Sequence, residues 1–143
     1  MDIEPIIEYC DNGKIHREYW YSNRKLHRVD GPADIFYHKS GTIERGQWYL
    51  NGISHRVGGP AYIWYYESGT IQREVWYFNG IRHRVDGPCY IFYNKSGKIE
   101  REKWYLNGKE SNHKEWLIEH NLYNKPYNTW TDEERVLWRL SWI

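Results

Sequence analysis

"HRVDGPA" occupies residues 27–33, "HRVGGPA" residues 55–61 and "HRVDGPC" residues 83–89. The spacing is 28 residues each time, and self-similarity at a fixed period marks a repeat architecture. Outward from these segments, Gly13, Gly41, Gly69 and Gly97 recur at the same period with no insertion. The full units are "GKIHREYWYSNRKLHRVDGPADIFYHKS" (13–40), "GTIERGQWYLNGISHRVGGPAYIWYYES" (41–68) and "GTIQREVWYFNGIRHRVDGPCYIFYNKS" (69–96). A truncated fourth covers 97–110. Residues 1–12 form a half repeat, with Ile7 and Tyr9 in the places of Ile63 and Tyr65.

Each unit reads as two strands. In the second, alternation over 42–50 places Ile43, Arg45, Gln47 and Tyr49 on one face and Glu44, Gly46, Trp48 and Leu50 on the other. Asn51-Gly52 then predicts a two-residue type I′ hairpin, because that turn needs two positive φ angles. The register follows: Trp48 faces His55, as Trp20 faces His27 and Trp76 faces His83. In the fourth unit Ser111 stands in that place, so Trp104 loses its histidine. The first unit has Asn23-Arg24 instead of Asn-Gly, which predicts a looser turn. The Asp-Gly-Pro or Gly-Gly-Pro corner interrupts the ladder, since proline has no N–H to donate. A second strand follows at about 61–66. Its Ala/Cys-Ile-Tyr face (Ala33, Ile35, Tyr37; Ala61, Ile63, Tyr65; Cys89, Ile91, Tyr93) varies least between units and is assigned to the core. Its other face (Tyr62, Trp64, Tyr66 and their counterparts) is aromatic and variable.

The expected fold class is mainly β: a tandem antiparallel β-hairpin meander of about eight strands with a short α-helical C-terminal cap over 111–143. Such arrays are held by contacts between neighbouring units and need covered ends. "NHKE" suggests a capping box of Asn112 with Glu115, and "TDEE" a second one of Thr131 with Glu134. The first helix should end before Pro126. In the second, Val136, Leu137 and Leu140 lie at helical spacing, with Trp138 and Trp142 nearby. The alternative role for 111–143 is a homodimer contact.

The 143 residues suit one domain. Lys and Arg number 20 against 19 Asp and Glu, which argues against general nucleic-acid binding. With 14 Tyr and 9 Trp, a chain this polar can still build a core, each ring burying roughly 150–250 Å². No run reaches the ~20 apolar residues of a membrane span, and "MDIEPIIEYC" lacks the basic start of a signal peptide. Cys10 and Cys89 fall on opposite faces, six strands or roughly 29 Å apart at ~4.8 Å per strand, too far for a disulfide. A reducing, cytoplasmic location is expected.

The "W-Y-x-N-G-x-x-H" core in tandem aromatic hairpins resembles the MORN repeat, and more closely its divergent "NGKxHRxDGPAxIxY" variants in bacterial, phage and large DNA virus proteins. The resemblance covers roughly residues 5–109. It departs from the common pattern in its longer period and in its His-Arg and Gly-Pro corner. It implies an elongated meander with a binding or scaffolding role and, if the protein is viral, a host component as target in the host cytoplasm.

His27, Arg28, His55, Arg56, His83 and Arg84, with Trp20, Trp48, Trp76 and Trp64, are the candidate binding residues. Equivalent histidines two strands apart stand about 9.6 Å from one another. Zinc holds its ligands at ~2.0–2.1 Å, so no metal is expected, and no cofactor. "HRVD" has the letters of a kinase catalytic loop without its glycine loop or lysine. Asp30 and Asp86 become Gly58 in the middle unit, so no catalytic group and no enzyme activity are expected. As architecture, His would stack on the opposing Trp and Arg on neighbouring rings or carboxylates. A second series, Arg17, Arg45, Arg73 and Arg101, suggests an Arg–Tyr ladder with carboxylates from adjacent units. The expected function is non-enzymatic binding of a protein partner through the exposed aromatic face. The alternatives are capture of an anionic, nucleotide-like small molecule by Arg/His and Trp/Tyr, and a structural assembly unit.

Overall fold

A computed structural model of the chain describes residues 4–141. The half repeat gives β1 (Ile6–Tyr9). The first unit gives β2 (Ile15–Tyr19), β3 (Tyr21–Ser22), β4 (Lys25–Leu26) and β5 (Asp34–Tyr37). The second gives β6 (Ile43–Gln47), β7 (Tyr49–Leu50), β8 (Ile53–Ser54) and β9 (Tyr62–Tyr65). The third gives β10 (Ile71–Val75), β11 (Tyr77–Phe78), β12 (Ile81–Arg82) and β13 (Tyr90–Tyr93). The fourth ends the array with β14 (Ile99–Lys103), β15 (Tyr105–Leu106) and β16 (Lys109–Glu110). Eight of these strands form one antiparallel sheet in the order β1-β2-β5-β6-β9-β10-β13-β14, and the short ones pair as four hairpins. The expected β-hairpin meander is therefore present.

The strand expected over 42–50 is broken at Trp48. Its N–H donates to Ala61 C=O at 2.7 Å, within the sheet, while its own C=O accepts from His55 N–H at 3.2 Å, within the hairpin. One residue thus serves two ladders, and the chain changes direction there. Trp20 does the same with Ala33 and His27, at 2.9 and 3.0 Å. The hairpins form a second stack. Gly52, Gly80 and Gly108 N–H donate to Leu26, Ser54 and Arg82 C=O of the preceding unit at 2.8, 2.8 and 2.9 Å. Asn51 and Gly52 have φ of 51° and 78°, as a type I′ turn requires. The first turn is not looser: Asn23 and Arg24 adopt the same conformation, φ 50° and 61°, with arginine forced into the left-handed region.

The other end of each sheet hairpin carries a bulge. Gly41 N–H donates to His38 C=O and His38 N–H to Thr42 C=O, both 2.8 Å, with Gly41 at φ 98°. Phe36 then pairs with Arg45, but Tyr37 pairs with Ile43. The alternation slips by one at Glu44, so Ile43 leaves the face of Arg45 and Gln47, contrary to strict period-2 reading.

The Ala/Cys-Ile face is the core. Ala33, Ala61 and Cys89 are fully buried, and Ile35, Ile63 and Ile91 nearly so. Gly46 pairs with Ile35 and Ile63 on this face. A Cβ there would lie 3.4 Å from the Trp48 ring and 3.6 Å from Pro32, so the corner closes over the sheet.

Beyond residue 110 lie α1 (Lys114–Glu119), a 3₁₀ turn (Tyr127–Thr129) and α2 (Asp132–Ser141). Leu117, Leu122, Trp130 and Trp138 pack on Trp104 in a core of their own, with Val85, Leu106, Trp116 and Tyr127 at its rim. Thr131 and Glu134 form the expected reciprocal cap, at 2.7 and 3.2 Å. Asn112 and Glu115 do not: the residue before α1 is His113, and no side chain caps the helix. His113 is instead drawn inward, edge-on to Trp104 at 4.8 Å and Trp138 at 5.2 Å. Trp104 thus regains a histidine, supplied by the cap. Of the apolar positions in α2, only Trp138 is buried; Val136, Leu137 and Leu140 are exposed. Trp142 lies outside the described residues. Among the described residues no helix is long and apolar enough to cross a membrane.

Candidate interaction surfaces

The corner arginines are clamped. Arg28, Arg56 and Arg84 stack on Trp20, Trp48 and Trp76 with Cζ 3.9, 4.0 and 3.8 Å from the indole. On the other side lies a glycine. A Cβ on Gly31, Gly59 or Gly87 would come within 3.0, 2.8 or 2.5 Å of the guanidinium carbon. That close approach is why the corner reads Gly-Pro. Each Nη1 donates to the following proline carbonyl: Pro32 at 3.4 Å, Pro60 at 3.1 Å, Pro88 at 3.2 Å. Asp30 accepts from Arg28 Nε at 2.7 Å and Asp86 from Arg84 Nε at 2.9 Å. The other oxygen of Asp86 accepts Tyr127 N–H at 2.8 Å and ties the cap to the third corner.

The histidines serve the next unit rather than their own tryptophan. His27, His55 and His83 accept with Nδ1 from the backbone N–H of Asn51, Asn79 and Asn107, 3.1 Å in each case. A backbone N–H only donates, so Nδ1 is unprotonated and the ring proton sits on Nε2. Burial lowers the His83 pKa below its usual value. The stacking partner expected to be histidine is thus arginine, whose flat cation suits the indole face better. Among the described residues no group of three His, Cys, Asp or Glu side chains is placed to hold a metal ion.

The second arginine series forms a row across the sheet. Register places Glu8, Arg17, Phe36, Arg45, Trp64, Arg73, Phe92 and Arg101 opposite one another in succession. Cation and ring alternate from β2 to β14, a span of roughly 29 Å at ~4.8 Å per strand. Arg45 lies 3.7 Å over Phe36 and Arg73 3.7 Å over Trp64. The expected Arg–Tyr ladder is therefore an Arg–Phe/Trp ladder, because the bulge sets Phe36 and Trp64 opposite the arginines. Tyrosine serves only Arg17, through Tyr19 at 4.4 Å.

The expected carboxylates are found at one end alone. Arg17 grips buried Asp34 with Nε and Nη2, 2.7 and 2.8 Å, with Glu8 at 4.0 Å. Hydrogen bonding to Asp34 raises the Arg17 pKa. Tyr62 and Tyr90 occupy the Asp34 position in the next two units. The Nε atoms of Arg45 and Arg73 are buried with no acceptor. Trp64 belongs to this row, not to the corners with which the sequence grouped it.

A cavity of about 580 Å³ opens between the second and third corners and the cap, lined by Arg56, Gly58, Trp76, Tyr77, His83 and Tyr127 among others. It gathers four of the candidate residues, while Trp20, His27 and Arg28 stand apart in the first corner. The contribution of Tyr127 is invisible to repeat analysis, since it comes from the irregular segment.

Compared with known protein families, curated proteins and solved structures, the chain matches none.

Proposed function

We propose that the protein is a non-enzymatic binding module that docks an acidic segment of a protein partner on the arginine–aromatic row. One observation carries this reading: Arg45 and Arg73 are partly exposed residues whose guanidinium groups have no acceptor among the described residues, their Nε even buried without one, where Arg17 in the same row grips a carboxylate with two N–H groups. An unsatisfied buried donor costs about 1–3 kcal/mol, and such groups in a native fold ask for a reason. Arginine and aromatic side chains are also those that dominate protein interfaces. A scaffold role fits the MORN-like character of the repeat. The two free cysteines suit a reducing location such as the cytoplasm.

The test is titration of a ten-residue polyglutamate peptide at low salt against wild type and the Arg45→Gln/Arg73→Gln pair. Loss of at least tenfold in affinity, with folding retained, supports the reading. Equal affinity, or tighter binding of an oligothymidylate than of the peptide, refutes it.

A further inference from the structure

From His to Pro, the three corners differ at one position. Asp30 and Asp86 neutralise Arg28 and Arg84 through Nε, at 2.7 and 2.9 Å. The middle corner has Gly58 instead, with φ of +72°, which neither Asp30 nor Asp86 adopts. A Cβ there would meet nothing within 4 Å. Arg56 is still held on Trp48 and to Pro60 C=O, yet no carboxylate of the described residues bonds to it, and Glu74 acts on it only through space. Its surroundings are desolvating enough to lower its pKa. Space and a missing anion thus coincide, and both border the cavity described above. Most of the remaining wall is aromatic or aliphatic (Trp76, Tyr77, Phe78, Val85 and Tyr127), and the one carboxylate in it, Asp86, is already paired with Arg84. Trp76 adds a buried Nε1 without an acceptor, whereas Trp104 Nε1 donates to Glu102 at 3.3 Å.

We infer that the middle corner is a binding site for a small flat anion, an aromatic molecule carrying one carboxylate or phosphate. Its anionic group takes the place that Asp30 and Asp86 fill in the other corners, against Arg56, and its ring lies among the aromatic side chains of the cavity. About 580 Å³ is within the usual 300–1,000 Å³ of small-molecule sites. A guanidinium edge pairs equally with carboxylate and phosphate oxygens. The site lies at the corner, so it stands or falls apart from the sheet-face reading.

The chain supplies its own blocking variant. Gly58→Asp would return the missing carboxylate to Arg56 once the backbone turns from φ +72° to the negative φ of the other two corners. Adenosine 5′-monophosphate, indole-3-acetate and neutral adenosine serve as probes, each titrated by calorimetry against wild type, Gly58→Asp and Arg56→Gln. Binding of at least one anionic probe below millimolar concentration is expected, with adenosine at least tenfold weaker than its monophosphate. Both variants should lose at least tenfold in affinity for that probe while remaining folded by circular dichroism. A preference for the monophosphate or for indole-3-acetate separates a phosphate ligand from a carboxylate one. Failure of both anions to bind wild type at millimolar concentration overturns the inference. So does equal binding of adenosine, or unchanged binding by whichever variant folds.

Discussion

Two sets of arginines recur at the same period, and the three corner arginines as well as Arg45 and Arg73 of the row place Cζ 3.7–4.0 Å from an aromatic ring centre. In sequence they look alike. In the corner, the guanidinium is sandwiched between indole and glycine, donates to a proline carbonyl, and in two of three units meets an aspartate. On the sheet face, Arg45 and Arg73 have the ring alone. A stacked cation contributes about 0.5–2 kcal/mol; hydrogen bonds to a charged group add about 1.5–3 kcal/mol each. Hydrogen bonding, not stacking, therefore separates an arginine spent on architecture from one left for a partner.

The fourth unit shows a corner built without arginine, and acid should break it first. Burial drives the His113 pKa from 6.5 down to about 4. The unfolded chain takes up the proton near 6.5 and the folded chain only near 4, so stability is full above about pH 6.5 and falls as pH drops toward 4. The loss amounts to roughly 3 kcal/mol by pH 4. Tryptophan fluorescence should report cap release over that window, and His113→Phe should flatten the profile; an unchanged profile would show that another group governs it. His83, also lowered by burial, acts in the same direction.

Within the array, Gly87→Ala should displace Arg84 from Trp76, because the new Cβ would sit 2.5 Å from the guanidinium carbon. The cost expected in chemical denaturation is about 2 kcal/mol, the stack and one charged hydrogen bond together. Gly31→Ala, at 3.0 Å, should cost less. Equal and negligible effects would mean that the clamp is not needed. The smallest change is a gain. Arg24 holds φ 61° in a turn where the other units have glycine, so Arg24→Gly should stabilise by about 1 kcal/mol. A loss of stability there would place the Arg24 side chain in a contact that outweighs its strain.

The meander, the type I′ turns and the core face were legible because each rests on local chemistry repeated three times: Asn-Gly, Gly-Pro and the Ala/Cys-Ile-Tyr alternation. The bulge at Glu44 was not, since period-2 counting has no signal for an extra residue, and so the arginine row could be seen as a series but not given its partners. The break at Trp48 was hidden for a similar reason, because one residue bonds to two ladders. In the cap, Thr131 and Glu134 spell out their motif, whereas the inward turn of His113 depends on two tryptophans, Trp104 and Trp138, converging from distant positions. Gly58 was visible as a departure from the repeat. That it leaves Arg56 without a carboxylate beside a cavity needed the placement of Tyr127.

The division between architectural and available arginines is tested most directly by thermal unfolding of Arg84→Met beside Arg45→Met. Arg84 loses its stack, its proline carbonyl and Asp86, about 3 kcal/mol, so its midpoint should fall by roughly 10 °C for a chain of this size. Arg45 loses a stack alone, about 0.5–2 kcal/mol, so its midpoint should fall by no more than about 7 °C. Equal losses, or a larger one for Arg45→Met, would contradict the division and return the sheet-face row to the architecture.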